Sequence, residues 1–487
     1  MVCALRGCKQ KESAMLLERI ETPGLAAYSY VVACEGAGQA VVVDPRRDID
    51  VYLRFVADRG LRIAHVLETH IHADYASGAR ALAEATGAPL LVSRFDAGET
   101  YETQHPHRDL DDGESIRLGK VRIEALHTPG HTPEHMCFAL YDEARSADCP
   151  MALLTGDLLF VGSAGRPDLL GEASAAPLAK ELRRSLFERL ARLPDFVEIH
   201  PAHGAGSMCG SGLAGRPVST LGYERRTNPY FQERAEEEFV RWALANVPPF
   251  PPYYKRMKQL NSVGAVDATP LLVRTFTRAI EPAQAKSIVD GGGVILDVRP
   301  PAEFCRGHAA GAISVGMGKS FTVWAAWAVP PGTPIVLMGQ GADDVEQAAR
   351  GLVRVGLDDV MGFVAGGFDA WERQGLPLEE TPEIPPAQAW SEAQRGQLVL
   401  LDVRSDEEWR RGHAPGAVHM HAGVLAERAK DALVEGKPIG TICAAGYRAT
   451  VAASLLKRAG AAEVRVVEAG MHGWRAHRLP VDATEEA

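Results

Sequence analysis

Cysteine is scarce in this chain: eight in 487 residues, at Cys3, Cys8, Cys34, Cys137, Cys149, Cys209, Cys305 and Cys443, with no paired spacing. So few, so scattered, cannot make a disulfide scaffold, and a reducing cytoplasm is the expected compartment. Long apolar runs are also missing. None approaches the roughly 18 residues of a membrane span, and residues 1–15 hold no apolar core of secretory-signal length. Excess charge is small: 52 Lys plus Arg face 63 Asp plus Glu, a formal −11 over the whole length. That mild acidity speaks against nucleic-acid and anionic-membrane partners. What remains is globular, 46% apolar and 24% charged, with length for roughly three domains.

Proline marks the first boundary. Asn246-Val-Pro-Pro-Phe-Pro-Pro-Tyr-Tyr254 puts four prolines within five residues, which neither a helix interior nor a central strand tolerates. We expect a metal-binding piece over 15–246, a stiff linker over 247–261, and two smaller domains over 262–380 and 384–482. The last two repeat each other. Leu296-Asp-Val-Arg299 returns as Leu401-Asp-Val-Arg404, and Arg306-Gly-His-Ala-Ala-Gly-Ala312 as Arg411-Gly-His-Ala-Pro-Gly-Ala417. Each copy alternates short β-branched runs with helical stretches, which predicts α/β domains with a parallel sheet covered by helices. In the first piece, strand-like runs at 28–33, 40–44, 63–69, 121–126, 136–140, 152–155 and 197–199 outnumber helices. Two layered sheets flanked by helices are expected there.

Ten of the sixteen histidines precede residue 204. Four clusters each follow a strand-like run: Thr69-His-Ile-His-Ala-Asp-Tyr75, Thr128-Pro-Gly-His-Thr-Pro-Glu-His135, Thr155-Gly-Asp157 and His200-Pro-Ala-His203. One buried histidine is usually a hydrogen-bonded core residue. Four strand ends that each deliver a His or Asp point instead to a metal held around an open position.

These motifs resemble the metallo-β-lactamase fold. Asp44-Pro-Arg-Arg-Asp48, Gly165-Arg-Pro-Asp-Leu169, His203-Gly-Ala-Gly-Ser207 and Gly222-Tyr-Glu-Arg-Arg226 are similar to its persulfide dioxygenase branch. From residue 15 onward the chain resembles members of that branch fused to tandem rhodanese domains. The resemblance implies an αββα sandwich and one non-haem Fe(II) per chain on His70, His131 and Asp157, with no organic cofactor. Two imidazoles and a carboxylate suit Fe(II) and leave positions for O2, substrate and water. His72, Asp74 and His203 would be outer-shell or vestigial second-metal residues. Tyr75 stands where a dinuclear hydrolase of this fold carries His, and a phenol with a pKa near about 10 is a poor zinc ligand. Arg166 either anchors a substrate carboxylate or pairs with Asp168. Cys209, six residues past His203, either lines the substrate passage, accepts sulfur or is structural.

Cys443-Ala-Ala-Gly-Tyr-Arg448 lies between a strand-like run and a helical stretch. Backbone amides of Ala444, Ala445, Gly446 and Tyr447, with Arg448, would favour a thiolate and cradle an anionic sulfur group. With Asp402-Val-Arg404 upstream, the loop resembles the rhodanese sulfurtransferases. In the other copy Gly339 stands opposite Cys443 and Asp344 opposite Arg448, so 262–380 reads as an inactive module. The expected activity is oxidation of a low-molecular-weight thiol persulfide, such as glutathione persulfide, by O2 to sulfite, coupled to sulfane-sulfur transfer with thiosulfate or persulfide. The alternatives are a glyoxalase II-like two-zinc thioester hydrolase with an accessory sulfurtransferase, or a non-catalytic sulfur carrier or sensor. A homo-oligomer fits a chain of this size, though no residue pattern demonstrates one.

Overall fold

The computed structural model describes residues 15–483 except 211, 246, 248–250 and 435. Cys3 and Cys8 therefore lie outside the described residues, as do Pro248 and Pro249 of the proline run. The chain divides into two compact units, one ending at Ala268 and the other starting at Thr269. Among the described residues no helix is long and apolar enough to cross a membrane, and the six described cysteines are free thiols.

The first unit is the expected four-layer sandwich. One six-stranded sheet runs Met15–Thr22, Ala27–Cys34, Gln39–Val43, Arg62–Leu67, Leu90–Ser93, Arg108–Leu110 in spatial order. The other runs Ser219–Thr220, Glu198–Pro201, Ala152–Gly156, Met136–Asp142, Val121–His127, Ser115–Leu118. Alternation along each strand decides which layer a side chain meets. Val41 and Val43 turn inward to a core shared with Ile123, Phe138 and Leu154. Val42 between them turns outward, to Tyr52 and Val56 of the helix Asp50–Arg59. On the other face, Cys137 and Leu153 pack against Leu182 of the helix Glu172–Arg184 and against Leu186 just beyond it.

The proline run is not simply a linker. Tyr253–Val263 is a helix, and it belongs to the first unit. Pro251 and Pro252 precede its first turn, where a missing N–H costs nothing because that donor has no intrahelical partner. Tyr254, Met257, Lys258 and Asn261 share one face at helical spacing, and all are buried. The expected boundaries at 246/247 and 261/262 therefore move to the junction at Ala268. We call Tyr253–Val263 the capping helix.

The second unit contains two five-stranded parallel sheets of identical order. Ala279–Ile280, Val360–Val364, Ile335–Met338, Val294–Asp297, Ile313–Ser314 is matched by Glu383–Ile384, Val464–Val467, Ile439–Ile442, Val399–Asp402, Val418–His419. The repeated sequence words are structural. Arg299 binds both oxygens of Asp297 and the Gly307 carbonyl, as Arg404 binds Asp402 and Gly412. Trp371 and Trp474, both fully buried, each donate Nε1–H to a carbonyl six residues on. The two copies also touch: the Ser314 N–H donates to Ser454 Oγ at 3.1 Å, and Tyr447 Oη donates to the Gly316 carbonyl at 2.9 Å.

Candidate functional site

His70, His131 and Asp157 converge at the strand ends, all buried, with ligand-type atoms within 4.8 Å of one another. His131 Nε2 lies 3.4 Å and His70 Nε2 3.9 Å from Asp157 Oδ2. Neighbouring groups set each ligand-type atom free. The His131 Nδ1 hydrogen bond at 2.9 Å ends on the Arg166 carbonyl, which only accepts, so Nδ1 carries the proton and Nε2 a lone pair. Thr69 Oγ1 donates to Asp44 Oδ2 at 2.9 Å and so accepts from His70 Nδ1 at 2.9 Å, which sets the same tautomer in His70. Burial, then the neighbouring His72 and His131, hold His70 well below the ordinary imidazole range; burial and then Lys258 do so for His131. Both rings are therefore neutral. His131 Nε2 and Asp157 Oδ2 have no hydrogen-bond partner among the described residues, although both are buried. Orphaned buried lone pairs facing each other are what a cation would satisfy.

The rest of the cluster splits from this triad. His203 lies between two carboxylates, Nδ1 at 2.7 Å from Asp157 Oδ1 and Nε2 at 2.8 Å from Asp74 Oδ2. Both contacts need an N–H. Burial alone would lower this imidazole, but Asp157 and Asp74 raise it well above its ordinary range. An imidazolium has no lone pair to give a metal, so His203 anchors Asp157 by one oxygen and leaves Oδ2 to the triad. His72 Nε2 turns to Asp44 Oδ1 at 3.2 Å, and Tyr75 Oη donates to the Asp44 carbonyl at 3.1 Å. Asp74, His203 and Cys209 form a second buried group with ligand-type atoms close together. Burial, with Asp74 and Asp157 nearby, pushes the Cys209 thiol well up. Arg166 is committed elsewhere: Nε and Nη2 bind Asp168 at 2.7 and 2.8 Å, and Nη1 reaches the Met208 carbonyl. Of its two expected readings the structure favours the ion pair over a substrate-carboxylate anchor.

Several contributors have no role assigned by the sequence pattern alone. His135 Nε2 accepts the Asp157 N–H at 3.0 Å, fixing the backbone of that candidate ligand. Gly156 is required beside it: φ is +50°, and a Cβ would sit 2.5 Å from His135 Nε2. The capping helix supplies more. Asn261 Nδ2 donates to the carbonyls of His72 and Tyr75 at 2.8 and 2.7 Å, while its Oδ1 accepts the Ser77 N–H at 2.8 Å. Lys258 Nζ donates to the Ile71 carbonyl at 2.8 Å, and Tyr254 Oη lies 3.9 Å from Cys209 Sγ. The 254, 257, 258, 261 spacing was readable, but the prolines before it masked the helix.

In the second unit, Cys443 follows the strand Ile439–Ile442 and precedes the helix Tyr447–Arg458. The Met471 and His472 amides take the carbonyls of Cys443 and Ala444 at 2.7 and 3.0 Å. The Gly446 N–H then donates to Cys443 Sγ at 3.1 Å, in a backbone of φ +106° that suits glycine. Arg448 does not bond the sulfur. It forms a two-pronged pair with Glu408 at 2.6 and 2.7 Å. Burial pushes the Glu408 carboxyl up, but Arg448 and the Ser405 cap bring it down to about 2. Ser405-x-x-Glu408 is a capping box whose spacing the sequence displays. In the other copy, Gly339 occupies the cysteine position and Asp344 accepts the Gln340 N–H at 3.0 Å. A 610 Å³ cavity opens there, lined in part by Arg299, Glu303, Gly339, Glu346, Phe368 and Asp369.

The model of the metallo-beta-lactamase superfamily matches residues 22–203, and that of the rhodanese-like domain matches 281–374 and 385–477. The chain is 35% identical over 191 residues to a hydroxyacylglutathione hydrolase of Polaromonas sp. (strain JS666 / ATCC BAA-500), a match covering 39% of this chain and 66% of that protein. It is 29% identical over 233 residues to the mitochondrial persulfide dioxygenase ETHE1 of Bos taurus, covering 47% of this chain and 80% of that one. Among solved structures, a metallo-beta-lactamase from Staphylococcus aureus subsp. aureus COL matches with a TM-score of 0.64 and 34% identity. That match covers 72% of this chain and 98% of the other. The chain belongs to the metallo-beta-lactamase superfamily, in an arrangement where a metallo-beta-lactamase domain with persulfide dioxygenase homologues precedes two rhodanese-like domains.

Proposed function

We propose that the chain oxidises a low-molecular-weight thiol persulfide, such as glutathione persulfide, with O2 in its first unit and moves sulfane sulfur on Cys443 in its second. The overall oxidation balances as R–S–SH + O2 + H2O → R–SH + sulfite + 2 H⁺. The observation that carries it is the orphaned pair His131 Nε2 and Asp157 Oδ2 beside neutral His70, a two-imidazole, one-carboxylate donor set. Those three residues would hold one Fe(II), which supplies the O2 activation that redox-inert zinc lacks. His203 keeps its protons on Asp157 and Asp74 and fixes the carboxylate. The capping helix braces the turn that carries His70, through Lys258 on the Ile71 carbonyl and Asn261 on the His72 and Tyr75 carbonyls.

Similarity to a hydroxyacylglutathione hydrolase favours a second reading, two-metal thioester hydrolysis. The doubly donating His203, the diverted His72 and the Tyr75 phenol speak against a second zinc. In the other unit, Cys443 Sγ attacks a sulfane sulfur, the sulfur–sulfur bond to the leaving thiol or sulfite breaks, and a cysteine persulfide remains. A second acceptor then takes that sulfur. The copy with Gly339 and Asp344 has no cysteine at the loop position of Cys443, and carboxylates of Glu303, Glu346 and Asp369 face its cavity. We assign it a supporting role, through Gly316 and Ser314.

Anaerobic purification with metal analysis, followed by O2 uptake on adding glutathione persulfide, tests this. One iron per chain and persulfide-dependent uptake with sulfite release are expected. Two zincs without uptake would overturn the proposal. Cys443→Ser should retain O2 uptake and lose transfer to and from thiosulfate; equal loss of both would show that the sites are not separable.

A further inference from the structure

Lys258 is 2% exposed in the middle of the capping helix. Its ammonium has three N–H groups and one hydrogen-bond acceptor among the described residues, the Ile71 carbonyl between His70 and His72. It forms no salt bridge to a described carboxylate, and Nζ lies 5.6 Å from the centroid of the Tyr101 ring. One oxygen of each carboxylate nearby is engaged. Glu134 Oε1 accepts the Ile71 N–H at 3.0 Å, and Asp157 Oδ1 is held by His203. Lys258 nevertheless lies within electrostatic reach of His70, His131, Asp157 and Cys209. Burial lowers its proton affinity, and Glu134, Cys209 and Asp157 oppose that fall.

A buried ammonium with no carboxylate in direct contact is costly, and Glu134 and Asp157 act on Lys258 only from beyond ion-pair distance. A strut to the Ile71 carbonyl does not need charge, as Asn261 shows on the same face by holding the His72 and Tyr75 carbonyls with a neutral amide. No described carboxylate pairs directly with the ammonium, which leaves that contact to a bound anion. The lining suits sulfur: the Cys209 thiol and Tyr254 hydroxyl lie beside the triad and are buried.

We propose that Lys258 is the anion-binding residue of the metal pocket, receiving the negatively charged sulfur end of the substrate and releasing sulfite. This rests on the persulfide dioxygenase reading above. It names a residue for the charge of the substrate, and it assigns the capping helix a part in binding as well as in bracing the turn that carries His70.

The test is sulfite titration by calorimetry under nitrogen on the full-length iron-loaded protein, comparing wild type with Lys258→Met and Lys258→Gln. Methionine removes both charge and hydrogen bond; glutamine keeps a donor for Ile71 without the charge. Both variants should keep the wild-type iron content and bind sulfite on the order of 10- to 100-fold more weakly, the usual scale for removing one charged partner. Their KM for persulfide should rise more than their kcat falls. Sulfite binding as tight in the glutamine variant as in wild type, or none in wild type, would overturn the proposal. So would iron loss in both variants, which would make Lys258 a strut. If wild type shows no persulfide-dependent O2 uptake but still binds sulfite through Lys258, the dioxygenase reading fails and the anion site stands.

Discussion

Replacing Asn261 by alanine asks whether the capping helix holds the metal loop in place. Asn261 is 4% exposed and makes three hydrogen bonds of 2.7 to 2.8 Å, to the His72 and Tyr75 carbonyls and from the Ser77 N–H. Alanine leaves all three backbone groups without their partner. At a net contribution of about 1 kcal/mol each, the loss is about 3 kcal/mol, concentrated on the turn that carries His70, His72, Asp74 and Tyr75. If it all falls on ordering His70, metal affinity drops by roughly a hundredfold, the upper end of what outer contacts of a metal site usually contribute. Asn261→Asp should be at least as damaging, because it keeps the acceptor for Ser77 but turns a carboxylate toward two carbonyls. The assay is metal retention against a competing chelator, with hydrogen exchange of residues 69–78 as a second readout. A global melting temperature is a poor substitute in a chain of several domains. Unchanged metal affinity and unchanged exchange in that turn, with loosening confined to the helix, would refute the reasoning.

Two further predictions concern the Cys443 loop. Glu408 is held down from 4.5 to about 2, so its pairing with Arg448 contributes stability in full above pH 4.5 that is lost as pH falls through about 2. At about 1.4 kcal/mol per pH unit the shift sets a ceiling near 3 kcal/mol. With the side chains 30% and 20% exposed, solvent screening reduces this to about 1–2 kcal/mol. Glu408→Gln should lower hydrogen-exchange protection of the helix Tyr447–Arg458 at neutral pH, with the two proteins converging near pH 2; a constant difference down to that pH would contradict the pairing argument. Tyr447→Phe removes the bond to the Gly316 carbonyl, worth about 1 kcal/mol. It should speed alkylation of Cys443 and slow thiosulfate sulfurtransfer several-fold, whereas no change in either would show that the neighbouring copy does not position the loop.

Much of this architecture was legible because local rules carry it. Strand-like runs such as 40–44 stood out by their β-branched residues, the repeated Asp-Val-Arg words announced two like sheets, and histidines after strand-like runs pointed to the buried cluster of His70, His131 and Asp157. The capping helix was misjudged because four prolines dominate any local reading. Only the fold reveals that Pro251 and Pro252 stand where a helix begins and needs no donors. Arg166 was ambiguous because a guanidinium two residues from an aspartate has the same sequence signature whether it serves structure or substrate.

The sequence by itself determined the inventory: one piece with histidines clustered after its strands, two copies of an α/β domain, and a cysteine at the strand–helix turn, Cys443, in the second copy alone. Those properties depend on residue type and spacing along the chain. The tertiary structure decided which lone pairs are free. His70 and His131 present Nε2 because Thr69 and the Arg166 carbonyl take their other nitrogens, and His203 loses both of its own to Asp157 and Asp74. Hydrogen bonds between groups as far as 129 residues apart set those protonation states, and such distances have no pattern in one dimension.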